Sequence, residues 1–88
     1  MVYIGVDLMT KKEMIIDSLI DDDECYSQIK EYIEHLGVSI IDKDLEELLK
    51  SMIEEKLIII NESWSNEKNE FPCSLTEKGK EIWNNIKE

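Results

Sequence analysis

Apolar residues in this 88-residue chain recur first at helical spacing, then as one continuous run, then at helical spacing again. Thr10 and Glu13 form a capping box, in which each side chain satisfies an open amide at a helix start. Met14, Ile15, Ile16, Leu19 and Ile20 follow as a broad apolar face, so a first helix is predicted there. Asp21, Asp22, Asp23 and Glu24 close that helix and open the next. Asp22 or Asp23 is the expected N-cap, because a carboxylate both accepts a free amide and complements the helix dipole. Tyr26, Ile29, Tyr32, Ile33 and Leu36 recur every three or four residues, which predicts a second helix with one buried stripe. Gly37 is the expected left-handed residue closing it. After the apolar link Val38–Ile41, the residues Leu45, Leu48, Leu49, Met52 and Ile53 predict a third helix. Its outer face carries Lys43, Glu46, Glu47, Lys50 and Glu54 toward water.

Leu57, Ile58, Ile59 and Ile60 are too continuous and too β-branched to prolong that helix; they predict a buried strand. Asn61 to Glu70 is a polar connection, and Phe71 to Leu75 a second strand with Pro72 at its edge or end. Thr76 is the expected cap of a last helix with Ile82, Trp83 and Ile86 on its inner face. Gly79 lies in the first turn of that helix, where a missing side chain allows close packing. Near the N-terminus Val2, Ile4, Val6 and Leu8 alternate around Gly5, so residues 1–9 are read as an N-terminal arm or short strand. Residues 10–88 form one domain, since two cores cannot each bury enough surface at this length.

Charge changes what such a fold can be expected to do. The chain is 42% hydrophobic and 35% charged, with a net charge of −11 and a pI near 4.4. Nucleic-acid affinity comes largely from Lys and Arg neutralising phosphates, and a strongly acidic protein repels a polyanion at long range. Two stretches concentrate the negative charge. Asp17–Glu34 holds seven acids against Lys30 alone, and Asp42–Lys56 holds six acids against three lysines. No apolar run reaches the roughly 18 residues of a membrane span, and the N-terminus lacks the pattern of a secretory signal. Cys25 and Cys73 lack metal-site spacing and read as small apolar core residues in a reducing cytosol. A cytoplasmic location is expected.

The candidate chemistry is sparse. His35 is the sole histidine, so no nucleophile–base arrangement is argued, and its place near a helix C-terminus suits an imidazole structurally. The carboxylates lie on solvated segments rather than in the apolar pocket a general acid needs. Neither enzymatic activity nor a cofactor is expected. The Asp21–Glu24 cluster lacks the alternating ligands and glycine of a calcium loop; it reads as a cap with solvated charge, or as a patch that steers a basic partner. Trp64, in the polar connection, is either an apolar anchor for a partner or a lid folded over the hairpin. Trp83 is read as core or as a homodimer contact through the last helix. Tyr3, Tyr26 and Tyr32 are read as packing residues with hydroxyls in water.

Two runs carry a family resemblance. EELLKSMIEEKLI resembles the recognition-helix-to-strand junction of winged helix-turn-helix domains, and SLTEKGKEIW resembles the second wing strand and following helix of MarR and PadR type regulators. The resemblance covers about residues 10–88 and implies an α+β, mainly helical fold: three helices, a two-stranded wing hairpin and a C-terminal helix. Such regulators carry basic and amide side chains on the outer face of the third helix and basic residues in the wing. This chain departs from that pattern at Glu46, Glu47 and Glu54, and again at Glu62, Glu67 and Glu70 against Lys68. The expectation is therefore a small acidic winged-helix protein that acts by protein–protein binding. Its partner would be a basic protein such as a toxin nuclease, covered in the manner of an immunity or inhibitor protein. The residues expected to bind are Asp21, Asp22, Asp23, Glu24, Glu46, Glu47, Lys50, Glu54 and Trp64. The alternative is a dimeric DNA-binding transcription regulator with Lys43, Lys50 and Lys68 on phosphates.

Overall fold

Four helices and one hairpin emerge from those patterns in the computed structural model, which describes residues 10–87, with side chains through residue 85. In chain order they are α1 (Lys11–Leu19), α2 (Tyr26–His35), α3 (Asp42–Glu54), β1 (Ile58–Ile60), β2 (Cys73–Leu75) and α4 (Glu77–Lys87). The expected alternation at Val2–Leu8 and the side chain of Ile86 lie outside the described residues.

α1 is the central element, packed against α2, α4 and β2. Its capping box forms as the sequence requires: Thr10 Oγ1 accepts from the Glu13 amide at 3.1 Å, and Glu13 Oε1 accepts from the Thr10 amide at 2.8 Å. Met14, Ile15, Ile16 and Leu19 are buried with Ile29 and Ile33 of α2 and with Leu45, Leu49 and Met52 of α3. Leu57, Ile58 and Cys73 complete the core from the hairpin. Each fully buried aliphatic side chain of this kind contributes about 1.5–3 kcal/mol. Within the described residues, no helix is long and apolar enough to cross a membrane.

Gly37 ends α2 at φ 87°, with its amide bonded to the Glu34 carbonyl and the Val38 amide to the Ile33 carbonyl. That is the double bond pattern of a left-handed C-terminal cap. α3 ends in the same way, but the left-handed residue there is Lys56, at φ 64°. A side chain in this conformation costs roughly 1–2 kcal/mol. The bonds from Lys56 to the Ile53 carbonyl and from Leu57 to the Met52 carbonyl hold it in place.

Four expectations need correction. The N-cap of α2 is Cys25, in extended conformation, rather than Asp22 or Asp23. The cause is a tertiary one: Glu24 pairs with Cys73 as an isolated antiparallel bridge, with backbone bonds of 3.2 and 2.8 Å. That rung keeps the chain extended for one residue beyond the acids, and Gln28 Oε1 then accepts the Cys25 amide at 2.8 Å. Second, the run Leu57–Ile60 is buried only in its first half. Leu57 and Ile58 are inside, while Ile59 and Ile60 are 52% and 41% exposed. Third, the returning strand is Cys73–Leu75, shorter than the expected Phe71–Leu75. Fourth, Ile53 stands at the exposed margin of the α3 stripe.

The hairpin is antiparallel, with Ile58 opposite Leu75, Ile59 opposite Ser74 and Ile60 opposite Cys73. It turns directly into α4 through Thr76. The Thr76 amide donates to the Leu57 carbonyl at 3.0 Å, and its hydroxyl lies 2.6 Å from the Lys56 carbonyl and 3.1 Å from that of Leu57. The same hydroxyl oxygen accepts the Gly79 amide at 3.1 Å, capping α4. A Cβ on Gly79 would stand 2.4 Å from the Leu57 carbonyl oxygen and 2.9 Å from Leu75 Cδ2. Glycine is required here by backbone contact. Gly79→Ala is expected to destabilise the protein by about 1–3 kcal/mol, the usual cost of overpacking, read as a lowered urea midpoint. An unchanged midpoint would mean that α4 does not dock this closely.

Candidate functional site

The outward face of α3 presents charge with no apolar cover. Asp42, Lys43, Glu46, Glu47 and Lys50 line a shallow depression of about 530 Å³, and Glu54 is exposed further along the helix. Asp42 is anchored from α2. Lys30 Nζ lies 2.7 Å from Asp42 Oδ1, and the Tyr26 hydroxyl donates to the same oxygen at 3.0 Å. The Lys30 bond, followed by that from Tyr26, holds the Asp42 carboxyl below its ordinary range. Desolvation and the Asp42 bond push the Tyr26 phenol up to about 12. Lys30 is thereby engaged within the protein, which leaves Lys43 and Lys50 as the exposed cations of this face.

The polar connection Asn61–Glu70 is built around Asn66. Its Oδ1 accepts the amides of Lys68 at 3.0 Å and Glu70 at 2.9 Å, while its Nδ2 donates to Glu70 Oε1 at 3.0 Å. Asn69 adopts the left-handed conformation at φ 61°, which a short polar side chain tolerates well. Glu70 ties this loop to α2: the Ser27 hydroxyl donates to Glu70 Oε1 at 2.8 Å. The Asn66 bond, then the Ser27 bond, holds the Glu70 carboxyl below its usual range. Lys68 shares a groove of about 370 Å³ with Lys30, Glu31, Glu34, Asp42 and Glu70. Even there the acids outnumber the lysines. Trp64 is 47% exposed, so it does not close over the hairpin as a buried lid.

The Asp21–Glu24 cluster occupies a different place. It forms the link between α1 and α2, where Asp21 and Asp22 are exposed and Asp23 accepts from Asn61 Nδ2 at 3.2 Å. Glu24 is raised above its ordinary value by desolvation, then by Asp22 and Asp23. These acids line depressions with Asp17, Tyr32 and Trp83, and with Leu75 and Lys80. Neither depression includes an acid of α3. Among the described residues no three His, Cys, Asp or Glu side chains converge to hold a metal. The two thiols, Cys25 and Cys73, are free and buried, and desolvation pushes Cys73 up to about 11.

Sequence reasoning missed the residues that tie the helices together. Asp17 interrupts the apolar run of α1, which was the available signal. Its carboxylate accepts from the Tyr32 hydroxyl of α2 and from Trp83 Nε1 of α4, the latter at 3.1 Å. The hydroxyls of Tyr26 and Tyr32 are therefore bonded to carboxylates rather than to water alone. Trp83 packs partly buried against the core.

No family model and no curated protein matches this chain. Solved structures do. A PadR family transcription regulator from Clostridium difficile matches 88% of this chain and 82% of its own, with a TM-score of 0.75 and 20% identity. The fold is a winged helix-turn-helix. Bacillus subtilis PadR, solved in complex with operator DNA, matches 85% of this chain at a TM-score of 0.72 and 23% identity. The matched region is 44% of that protein, so this chain spans less than half of its length. On this fold α3 is the third helix and β1–β2 the wing hairpin.

The two anchored phenols give a pH dependence. Tyr26 and Tyr32 are both pushed up to about 12, by desolvation first and by their Asp42 and Asp17 bonds second. A group whose folded value is raised contributes stability in full below its unfolded value, near 10. That contribution is lost as pH rises through the folded value. Ultraviolet titration is expected to show two phenols ionising near pH 12, with tertiary circular dichroism lost over the same interval. Ionisation of every tyrosine near 10 would contradict the bonding described.

Proposed function

We propose that this chain is a DNA-binding transcription regulator of the winged helix-turn-helix type, acting in the cytoplasm. The observation that carries the reading is its match, over 85% of its residues, to a protein solved on operator DNA. The match supports a shared way of presenting α3 and the wing. In this reading α3 lies in the major groove. Lys43 and Lys50 of α3 and Lys68 of the wing neutralise phosphates. The acids of α3 exclude most duplex positions by repulsion, so binding is weak and strongly dependent on salt.

Three phosphate contacts correspond to a slope of about −3 in log K against log salt, because each neutralised phosphate releases close to one counterion. Fluorescence anisotropy on a labelled duplex across salt concentrations reads this directly. Lys50→Ala is expected to weaken binding and reduce the slope by about one. Absence of duplex binding even at the lowest salt removes the proposal.

A second reading is favoured by a specific observation, the local charge of −3 over Asp42–Lys56. In it the same face binds a basic protein, for example a toxin nuclease whose nucleic-acid surface it covers. The residues involved would be Glu46, Glu47, Lys50 and Glu54, with Asp21, Asp22, Asp23, Glu24 and Trp64 as further contacts. Charge reversal at Glu46, Glu47 and Glu54 is expected to abolish capture of such a partner while leaving circular dichroism unchanged. Capture indifferent to those charges sinks this reading.

A further inference from the structure

One lysine beside the face assigned to the duplex is already engaged inside the protein. Lys30 Nζ lies 2.7 Å from Asp42 Oδ1, and the Tyr26 hydroxyl donates to the same oxygen at 3.0 Å. Tyr26 and Lys30 stand one turn apart on α2, so both donors leave the same side of that helix. They converge on a single anionic oxygen. An ammonium and a hydroxyl are also the kinds of donor that contact a phosphate oxygen in a nucleic-acid backbone. Asp42 is the first residue of α3 and is exposed, whereas Lys30 is partly buried.

Asp42 also lies where two depressions meet. It lines the one on the outward face of α3 with Lys43 and Lys50, and it lines the groove that Lys30 shares with Lys68. The lysines assigned to phosphates and Lys30 therefore occupy two depressions joined at one carboxylate. Of the other acids in that groove, Glu70 is bonded to Asn66 and Ser27, while Glu31 and Glu34 are exposed. The helix dipole does not account for the Lys30 pair. Asp44 supplies a second acid to the first turn of α3, and the bonds of Asp42 Oδ1 run to α2.

We propose that the Asp42 carboxylate stands in for a DNA phosphate, holding Lys30 and the Tyr26 hydroxyl so that a further cation is withheld from the duplex. The inference rests on the duplex-binding reading of α3 and the wing. Within it, Asp42 is a positioning residue that sets how many phosphates the surface neutralises. An exposed ion pair is weak and screened by salt, so removal of one charge releases the lysine. Asn at position 42 keeps a side-chain oxygen for Tyr26. The Tyr26 hydroxyl also lies 3.1 Å from the Asp42 carbonyl, so the α2–α3 contact survives the change. Lys30 then meets Glu34 one turn on, an exposed pair of the same weak kind, against the dense charge of a duplex backbone.

The test is fluorescence anisotropy of the full chain on one labelled duplex across salt concentrations. Against the wild-type slope of about −3 in log K against log salt, Asp42→Asn is expected to give about −4, as one more phosphate is neutralised. Glu47→Gln removes an equal charge from the same helix without freeing Lys30; it is expected to tighten binding with the slope unchanged. Lys30→Gln is expected to leave the wild-type slope as it is and to return that of Asp42→Asn to about −3. Wild-type binding with a slope that Asp42→Asn does not steepen overturns the inference and leaves the duplex reading standing. A steepening that Glu47→Gln reproduces, or that persists with Lys30→Gln, also defeats it. Absence of binding by wild type and Asp42→Asn alike removes both.

Discussion

The packing of a peptide carbonyl against a glycine governs this fold. The Leu57 carbonyl sits where the Cβ of any other residue at position 79 would stand. The Thr76 hydroxyl and amide bind the same carbonyl from the start of α4. Three segments meet at this point: the end of α3, the first strand of the wing, and the last helix. Because the contact is backbone to backbone, no side-chain rearrangement relieves it. The direction in which β1 leaves α3, and so the position of the wing beside that helix, follows from this junction. The Thr-x-x-Gly spacing of the family-like motif thereby acquires a physical meaning: one residue caps and bonds, and the other lets the helix approach.

A second set of ties uses carboxylates as joints between helices. Asp17 receives a phenol from α2 and an indole from α4, while Asp42 receives a phenol and an ammonium from α2. Glu70 ties the wing loop to α2 through Ser27. An acidic chain of this size has many carboxylates to solvate, and some of them are used as acceptors for the few available donors. The net charge is therefore only partly a surface property.

The relation between fold and charge frames the function. On this winged-helix architecture the outward face of α3 carries more acids than lysines. Electrostatics at such a face acts on specificity and association rate as much as on affinity. A weak, salt-sensitive duplex reader and a binder of basic protein surfaces differ in partner but use the same presenting helix. The fold decides where that helix points; its outer residues decide what it tolerates.

Local periodicity determined the existence and order of the helices and the hairpin, because burial of a stripe or a run leaves its spacing in the chain. Thr10, Gly37, Thr76 and Gly79 were legible for the same reason, since caps and close approaches demand particular residue types. The outer-face charges of α3 were equally plain. What only the tertiary structure decided were features created by contacts distant in sequence. The Glu24–Cys73 rung moved the start of α2 to Cys25, and the limited width of the core left Ile53, Ile59 and Ile60 at its edge. Asp17 looked like a polar interruption until α2 and α4 brought Tyr32 and Trp83 to it. The separation of Asp21–Glu24 from the acids of α3 likewise depends on how the helices pack. Sequence spacing reports which face a residue shares with its neighbours, whereas the partner across that face is fixed by packing alone.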